Sequence, residues 1–296
     1  MWKEKGRCAV AIGFDFDAET LWLARGLKTP SPMSRGKYGA YIGVPRILRF
    51  CKERGIKLTF FVPGWVAQNY APVVEQMIAA GHEVAHHGWL HDDPNSMSVE
   101  QEKEEFLRGI EVFKKLGVTP VGYRSPAFDL GPNTLNLLRE NKYIYDTSMM
   151  AHESPYFITQ DGKDTGVVEL PVCWELDDAP YYLFALKPSY RRGMADPDMV
   201  VRVWQREFDW AYRESGFYLL TLHPQITGRG YRMDALGQVL DYIRKFPDVW
   251  ITTHKEISEF FKKNVDKKHQ IKIDLALGGM SPYRNFRVGC GQGRAL

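Results

Sequence analysis

The chain has 296 residues, 44% hydrophobic and 25% charged, the composition of an ordinary globular protein rather than a disordered one. Its net charge of +3 is a property of one end: residues 265–296 hold six Lys/Arg against two Asp/Glu, which leaves residues 1–264 at −1. The charge therefore gives no case for a basic nucleic-acid-binding body, and no apolar run approaches the roughly 18 residues of a membrane-spanning helix.

Strand-like and helix-like segments alternate along the chain. Residues 8–16 open as a strand. Lys3, Lys5 and Arg7 precede it, but Asp15 interrupts it and no small-residue cleavage site follows, so it does not read as a signal peptide. Val44, Ile47, Leu48 and Cys51 then recur at helical spacing, with Pro45 near the start and Gly55 past the end. Residues 58–62 read as a strand stopped by Pro63-Gly64, 70–80 as a helix and 82–86 as a short strand. Ser98-x-x-Gln101 is a capping box for a helix that carries Phe106, Ile110 and Phe113 on one face. A strand at 120–124, a helix at 132–140 and a strand at 143–147 follow. Residues 149–195 show little period beyond a strand at 167–170. Asp196-Pro197 opens a helix to about residue 213, and then come a strand at 217–222, a helix at 233–245, a strand at 249–252 and a helix at 254–263.

Roughly seven strand–helix units without hairpin-length links predict parallel strands. The fold class is α/β, most economically a closed or nearly closed β/α barrel of about seven units that occupies residues 1–264 as one domain. The Gly-rich, basic stretch 265–296 reads as a weakly ordered tail. Residues 24–42, rich in Gly, Pro and Ser, read as a long loop: Gly26, Gly36 and Gly39 permit turns while Pro30 and Pro32 limit its freedom. Such a loop is expected to close over a small substrate, with Arg35 and Tyr38 touching it. The alternative is a solvated connector or a subunit contact in a homo-oligomer. Cys8, Cys51, Cys173 and Cys290 form neither a CxxC nor a disulfide ladder, which fits a reducing, cytoplasmic compartment.

In a β/α barrel the chemistry belongs where strands end and βα loops begin. At those positions stand Asp15-Phe16-Asp17, then His86-His87-Gly88-Trp89-Leu90-His91, then Arg124-Ser125-Pro126, then His223-Pro224. Strand period puts Asp15 and Asp17 on one side and Phe16 on the other. Two such carboxylates repel unless a cation or an arginine stands between them, although a helix cap and a salt bridge would also account for the pair. His87-x3-His91 lets two imidazoles reach one metal. With Asp17 they form a two-His, one-carboxylate set with open positions, suited to one divalent ion such as zinc, and also to iron, cobalt or nickel. His86 alternates with His87, so only one of them should face the site. His82, at the opposite strand end, reads as structural. Arg124 ends an apolar strand and needs a partner: either an ordinary salt bridge, or Asp15, which it would hold ionised and oriented. His223 follows a strand apolar on both faces, and its place at a catalytic strand end favours chemistry over core packing. Trp174, in the run CWELDDAPYY with Asp177 and Asp178, either stacks on a substrate ring or fills the core.

The order Asp-x-Asp, His-x3-His, Arg-x-Pro and Leu-x-x-His, spread over residues 8–263, resembles the polysaccharide deacetylase family (NodB-homology, carbohydrate esterase family 4). The resemblance implies a distorted seven-unit β/α barrel with Asp15 as catalytic base, Asp17, His87 and His91 as metal ligands, Arg124 as the residue that orients the base, and His223 as catalytic acid. Most of the family has adjacent acids where Phe16 here separates them, and a hydroxyl residue where Gly88 stands. Ser34-Arg35-Gly36-x-Tyr38-Gly39, Leu222-His223-Pro224 and Gly228-Arg229 resemble a cytoplasmic branch that includes cyclic-imide hydrolases, allantoinase-like proteins and a peptidoglycan-deacetylase-like protein. The function expected is a metal-dependent hydrolase of non-peptide carbon–nitrogen bonds acting on a small-molecule or carbohydrate substrate. Removal of N-acetyl groups from sugars is the leading reading, and ring opening of cyclic imides or ureides the alternative. A non-catalytic carbohydrate-binding barrel is the competing class, and loss of the base or of a ligand would be its mark. No nucleic-acid or membrane partner is expected.

Overall fold

The computed structural model describes residues 1–2, 4–184, 193–265 and 271–274. Strand β1 (Cys8–Asp15), buried along its whole length, is the hub of the sheet. One edge pairs in parallel with β8 (Phe217–Leu222). The other pairs with β9 (Val249–Thr252) through residues 8–11 and with β2 (Thr59–Val62) through residues 13–15. From β2 the sheet runs in parallel through β3 (Glu83–His86), β4 (Gly122–Tyr123) and β5 (Tyr145–Asp146) to β7 (Lys163–Glu169). The segment after β7 then meets β8 through one parallel bridge, Asp177 to Thr221. The seven strands β1–β5, β7 and β8 are thus brought round toward a ring, which remains an open sheet joined at a single residue pair. The fold is α/β with a mostly parallel sheet, as expected. Burial on both faces explains why β1 and β8 read as nearly continuous apolar runs.

Helices cover the outside, and their ends follow the sequence signals. Val44–Arg54 has Pro in its first turn and stops at Gly55 with φ +60. Val99–Lys115 opens on the Ser98/Gln101 capping box, with both reciprocal bonds formed. Asp196 caps Pro197–Arg213 and Thr253 caps His254–Asn264. No helix of the described residues is long and apolar enough to cross a membrane.

Two regions differ from the sequence expectation. The first is a hairpin. Antiparallel β6 (Tyr156–Gln160) and β7 are joined by Asp161-Gly162, both at positive φ. Asp-Gly between alternating residues is a strong short-range hairpin signal, and it lies inside the stretch expected to be irregular. The second is residues 24–42, of which only 24–29 are a turn. Pro30–Tyr38 is an α-helix that passes through a π-helical turn, Gly39–Gly43, into Val44–Arg54. Its glycines serve close packing. A Cβ on Gly36 would lie 2.5 Å from the Ala18 carbonyl group, and one on Gly43 would lie 2.3 Å from the Pro224 carbonyl oxygen. Only Gly26, at φ +71, makes a turn. Of the stretch expected to form the tail, residues 272–274 form β10 (Lys272–Asp274), parallel to β6. Residues 266–270 and 275–296, Cys290 among them, lie outside the described residues.

Candidate active site

The C-terminal end of β1 supplies two buried carboxylates, Asp15 at 3% exposure and Asp17 at 0%. Phe16 points the other way and packs against Tyr70. The chain turns sharply after Asp17: Ala18 adopts φ +46, and the amide and hydroxyl of Thr20 both donate to the Asp17 carbonyl. At the end of β3 the two neighbouring histidines separate as strand alternation requires. His87 faces the carboxylates. His86 faces the helical layer, where it bonds the Tyr143 hydroxyl at 3.0 Å and lies against Gly109, whose missing side chain makes room for the ring. Left-handed residues Gly88 (φ +67) and His91 (φ +61) bend the following segment so that His91 returns to His87, with ring centroids 5.3 Å apart. His82 accepts the Leu58 amide at the far end of its strand, and burial pushes its pKa down to about 4.

Asp17, His87 and His91 bring their ligand atoms within 4.8 Å of one another. Asp17 Oδ1 and His87 Nε2, 3.5 Å apart, are buried and have no protein hydrogen-bond partner. The other nitrogen of His87, Nδ1, lies 2.8 Å from the Arg124 carbonyl oxygen. A carbonyl only accepts, so that nitrogen carries the proton and Nε2 keeps its lone pair. Burial, reinforced by the charge of Asp15, pushes Asp17 up to about 7, while burial pushes His87 and His91 down, toward neutral imidazoles. A buried acid with one unpartnered oxygen, beside two imidazoles whose pKa is lowered, is a donor set that fits one divalent ion.

On one side of this set, fully buried Arg124 donates to Asp15 Oδ1 at 2.7 Å. Two further donors reach Thr147, Nε to the carbonyl at 3.2 Å and Nη2 to the hydroxyl at 3.3 Å, and its plane lies over the Phe61 ring. The guanidinium is therefore held from three directions, and Asp15 is held through it. On the other side, His223 Nδ1 lies 2.6 Å from Asp178 Oδ1. The His223 amide donates to Asp178 Oδ2 at 3.0 Å, and the Thr227 hydroxyl donates to the same oxygen. Burial alone would lower the pKa of His223, but the charge and hydrogen bond of Asp178, followed by Asp177 and Asp17, hold it well above the usual histidine value. His223 Nε2 stands 3.9 Å from Asp17 Oδ2, which also accepts from Gln225 Nε2 at 3.1 Å.

The structure thus gathers Asp15, Asp17, His87, His91, Arg124 and His223 in one place. Arg35, Tyr38 and Trp174 are engaged elsewhere. Arg35 donates to the Phe184 carbonyl and lies over Trp22. Tyr38 is covered by Arg229 and accepts from Arg46. Trp174 is 44% exposed with its ring against Phe128. Sequence reasoning did not identify Gln225, Thr227 or Thr147, and left Asp178 without a role. Gln225 and Thr227 had one available signal, being polar residues two and four positions after His223 in a loop fixed by its own hydrogen bonds. Thr147 had none.

The family model described as polysaccharide deacetylase matches residues 39–145. A peptidoglycan deacetylase of Helicobacter pylori is 31% identical over 287 residues, an alignment that spans 88% of this chain and 98% of that protein. Among solved structures, a putative polysaccharide deacetylase from Mycobacterium smegmatis superposes with a TM-score of 0.84 at 34% identity, covering 89% of this chain and 93% of that one. The allantoinase Puue superposes with a TM-score of 0.77 at 25% identity, with the same coverage of each.

Proposed function

The chain belongs to the polysaccharide deacetylase family, and from that premise we propose that it is a metal-dependent hydrolase that removes the acetyl group from an N-acetylated sugar. The broader class, a hydrolase of carbon–nitrogen bonds other than peptide bonds, follows from the family. The likeness to peptidoglycan and polysaccharide deacetylases supports the sugar substrate, and one observation carries the hydrolytic chemistry. A carboxylate held by arginine (Asp15–Arg124) lies 3.8 Å from His87 Nε2, and an imidazolium held by carboxylate (Asp178–His223) lies 3.9 Å from Asp17 Oδ2. A base and an acid with separate supports, one on each side of a reacting carbonyl, are what hydrolysis of an amide needs.

Asp17, His87 and His91 would hold the metal ion; when bound, it supplies Lewis-acid polarisation of the amide carbonyl and lowers the pKa of bound water, zinc being the metal this donor set suits. Asp15 takes a proton from the attacking water, and Arg124 keeps it oriented. His223 gives its proton to the departing nitrogen and is stabilised as a cation by Asp178. Thr227 and the His223 amide fix that carboxylate, and the Gln225 side chain fixes Asp17. Helix Pro30–Tyr38, seated on residues 18–19, forms a wall beside the site, and Arg35, Tyr38 and Trp174 are proposed to border the substrate. Free Cys8, Cys51 and Cys173 support a cytoplasmic setting as part of this reading.

The likeness to an allantoinase favours a second reading, ring opening of a cyclic imide or ureide. That reaction is the same acyl transfer with the leaving nitrogen still tethered. Hydrolysis assays run side by side on N-acetylglucosamine oligomers and on succinimide, hydantoin and allantoin, each with and without chelator, separate the two. Turnover of the oligomers that chelator abolishes supports deacetylation. Turnover of the rings alone selects the second reading, and chelator-resistant turnover removes the metal from both.

A further inference from the structure

Behind the site, β5 and β7 carry another acid pair. Asp146 and Glu169 are neighbours in the strand register, both 0% exposed, and each has one buried carboxyl oxygen, Asp146 Oδ2 and Glu169 Oε2, with no donor. Neither forms a salt bridge among the described residues. Two ionised carboxylates in this contact would repel, and one proton held between them converts the repulsion into a hydrogen bond. Burial pushes both carboxyl groups up, and the charge of Asp146 adds to the rise at Glu169, so the pair holds a proton between them.

The pair holds one short segment by both ends. Glu169 Oε1 accepts the amides of Ser148 and Met149, each at 2.9 Å. The Ser148 hydroxyl donates to Asp146 at 3.0 Å and accepts the Ser125 amide at 2.9 Å, one residue past Arg124. Thr147, between these anchors, presents its carbonyl and hydroxyl to Arg124, which donates to Asp15. Two arms therefore reach Arg124, one through Thr147 to its side chain and one through Ser148 to its backbone.

We propose that Asp146 and Glu169, joined by one shared proton, are positioning residues that fix residues 147–149 and through them aim Arg124 and Asp15. The inference rests on the reading of Asp15 as the base. The relay meets the ligand set at the Arg124 carbonyl, which bonds the Nδ1 of His87 and not its metal-facing Nε2, so its main effect falls on turnover and not on ion binding.

The test uses the full chain and a substrate that the wild type turns over. Glu169→Leu removes the acceptor of two amides and one of the two carboxyl groups that share the proton; kcat should fall about 10- to 100-fold with KM within about twofold and metal content unchanged, the scale of a displaced catalytic group. Glu169→Gln keeps the shape, the acceptor and a donor, and should rescue kcat to within about threefold of wild type. Thr147→Val, which buries no unpaired acid, should fold normally and still lower kcat severalfold, so it decides the matter if Glu169→Leu is unstable. Isotope-edited infrared spectroscopy supplies a readout independent of activity: the wild type should show a protonated carboxyl band at neutral pH that Glu169→Gln lacks. Wild-type kcat in both Glu169→Leu and Thr147→Val, a loss confined to KM, or absence of the band overturns the proposal. A wild-type protein that hydrolyses no amide instead overturns the functional reading, and the infrared band then still tests the shared proton.

Discussion

Asp17, His87 and His91 bring three ligand atoms within 4.8 Å of one another, and Asp177, Asp178 and His223 do the same. By distance the two groups are equivalent candidates for a metal. Their hydrogen bonds separate them. Asp178 Oδ1 is taken by His223 Nδ1, and Oδ2 by the His223 amide and the Thr227 hydroxyl, while Asp177 accepts the Ala179 amide at 2.6 Å. In the first group Asp17 Oδ1 and His87 Nε2 are buried with no partner. A buried polar atom left unpaired costs about 1–3 kcal/mol, so the first group needs something to bind and the second is complete with a proton. The comparison teaches that donor spacing finds both kinds of cluster, and hydrogen-bond satisfaction tells which holds a cation and which holds a charged histidine.

The contrast can be broken most severely at a ligand. His91→Ala should remove the ion and take activity to near background, read by elemental analysis alongside turnover; full activity in a verified metal-free preparation would contradict it. Asp15→Asn should retain the ion and lower kcat by about 10²- to 10⁴-fold, the range for loss of a general base. Loss of metal in that variant would move Asp15 into the ligand set.

Asp178→Asn sharpens the other half. The ion should stay, and kcat should drop by about 10- to 100-fold, as when the support of a catalytic group is removed. The pH sign follows from His223. It works as an acid when protonated, and Asp178 is the largest influence opposing the burial that would lower its pKa. In the wild type, activity should therefore persist through neutral pH and fall only as pH rises through the raised value. In Asp178→Asn that alkaline limb should move to lower pH. An unmoved limb would mean that His223 is not the titrating acid.

The smallest effect is expected at Gly36, whose added Cβ would meet the Ala18 carbonyl group just past Asp17. Gly36→Ala should destabilise the fold by about 1–3 kcal/mol, seen as a lower Tm, with metal content retained. A stability equal to wild type would show that the helix is not seated as tightly as the glycine implies.

The six residues at the strand ends were legible because each belongs to a short motif and because strand alternation decides which side chain faces inward. His87 and His86 are the clear case, for one residue of offset sends one ring to the carboxylates and the other to Tyr143. Long helices with explicit caps, such as Val99–Lys115, were equally legible. Residues 30–43 were not, because glycine suits both a turn and a close helix contact, and only the partner surface at Ala18 and Pro224 distinguishes them. The Asp161-Gly162 hairpin was readable from its turn alone and was outweighed by the parallel rhythm around it. Asp178 and Thr147 lie 45 and 23 residues from the groups they hold, and no local pattern links residues so far apart.

The most direct measurement is anomalous diffraction from crystals of the metal-loaded protein, recorded at the absorption edge of the bound metal. The account predicts a single peak bounded by Asp17, His87 and His91 and none between Asp177, Asp178 and His223. A peak at the second group, or none at the first in a protein shown to be active, would contradict it.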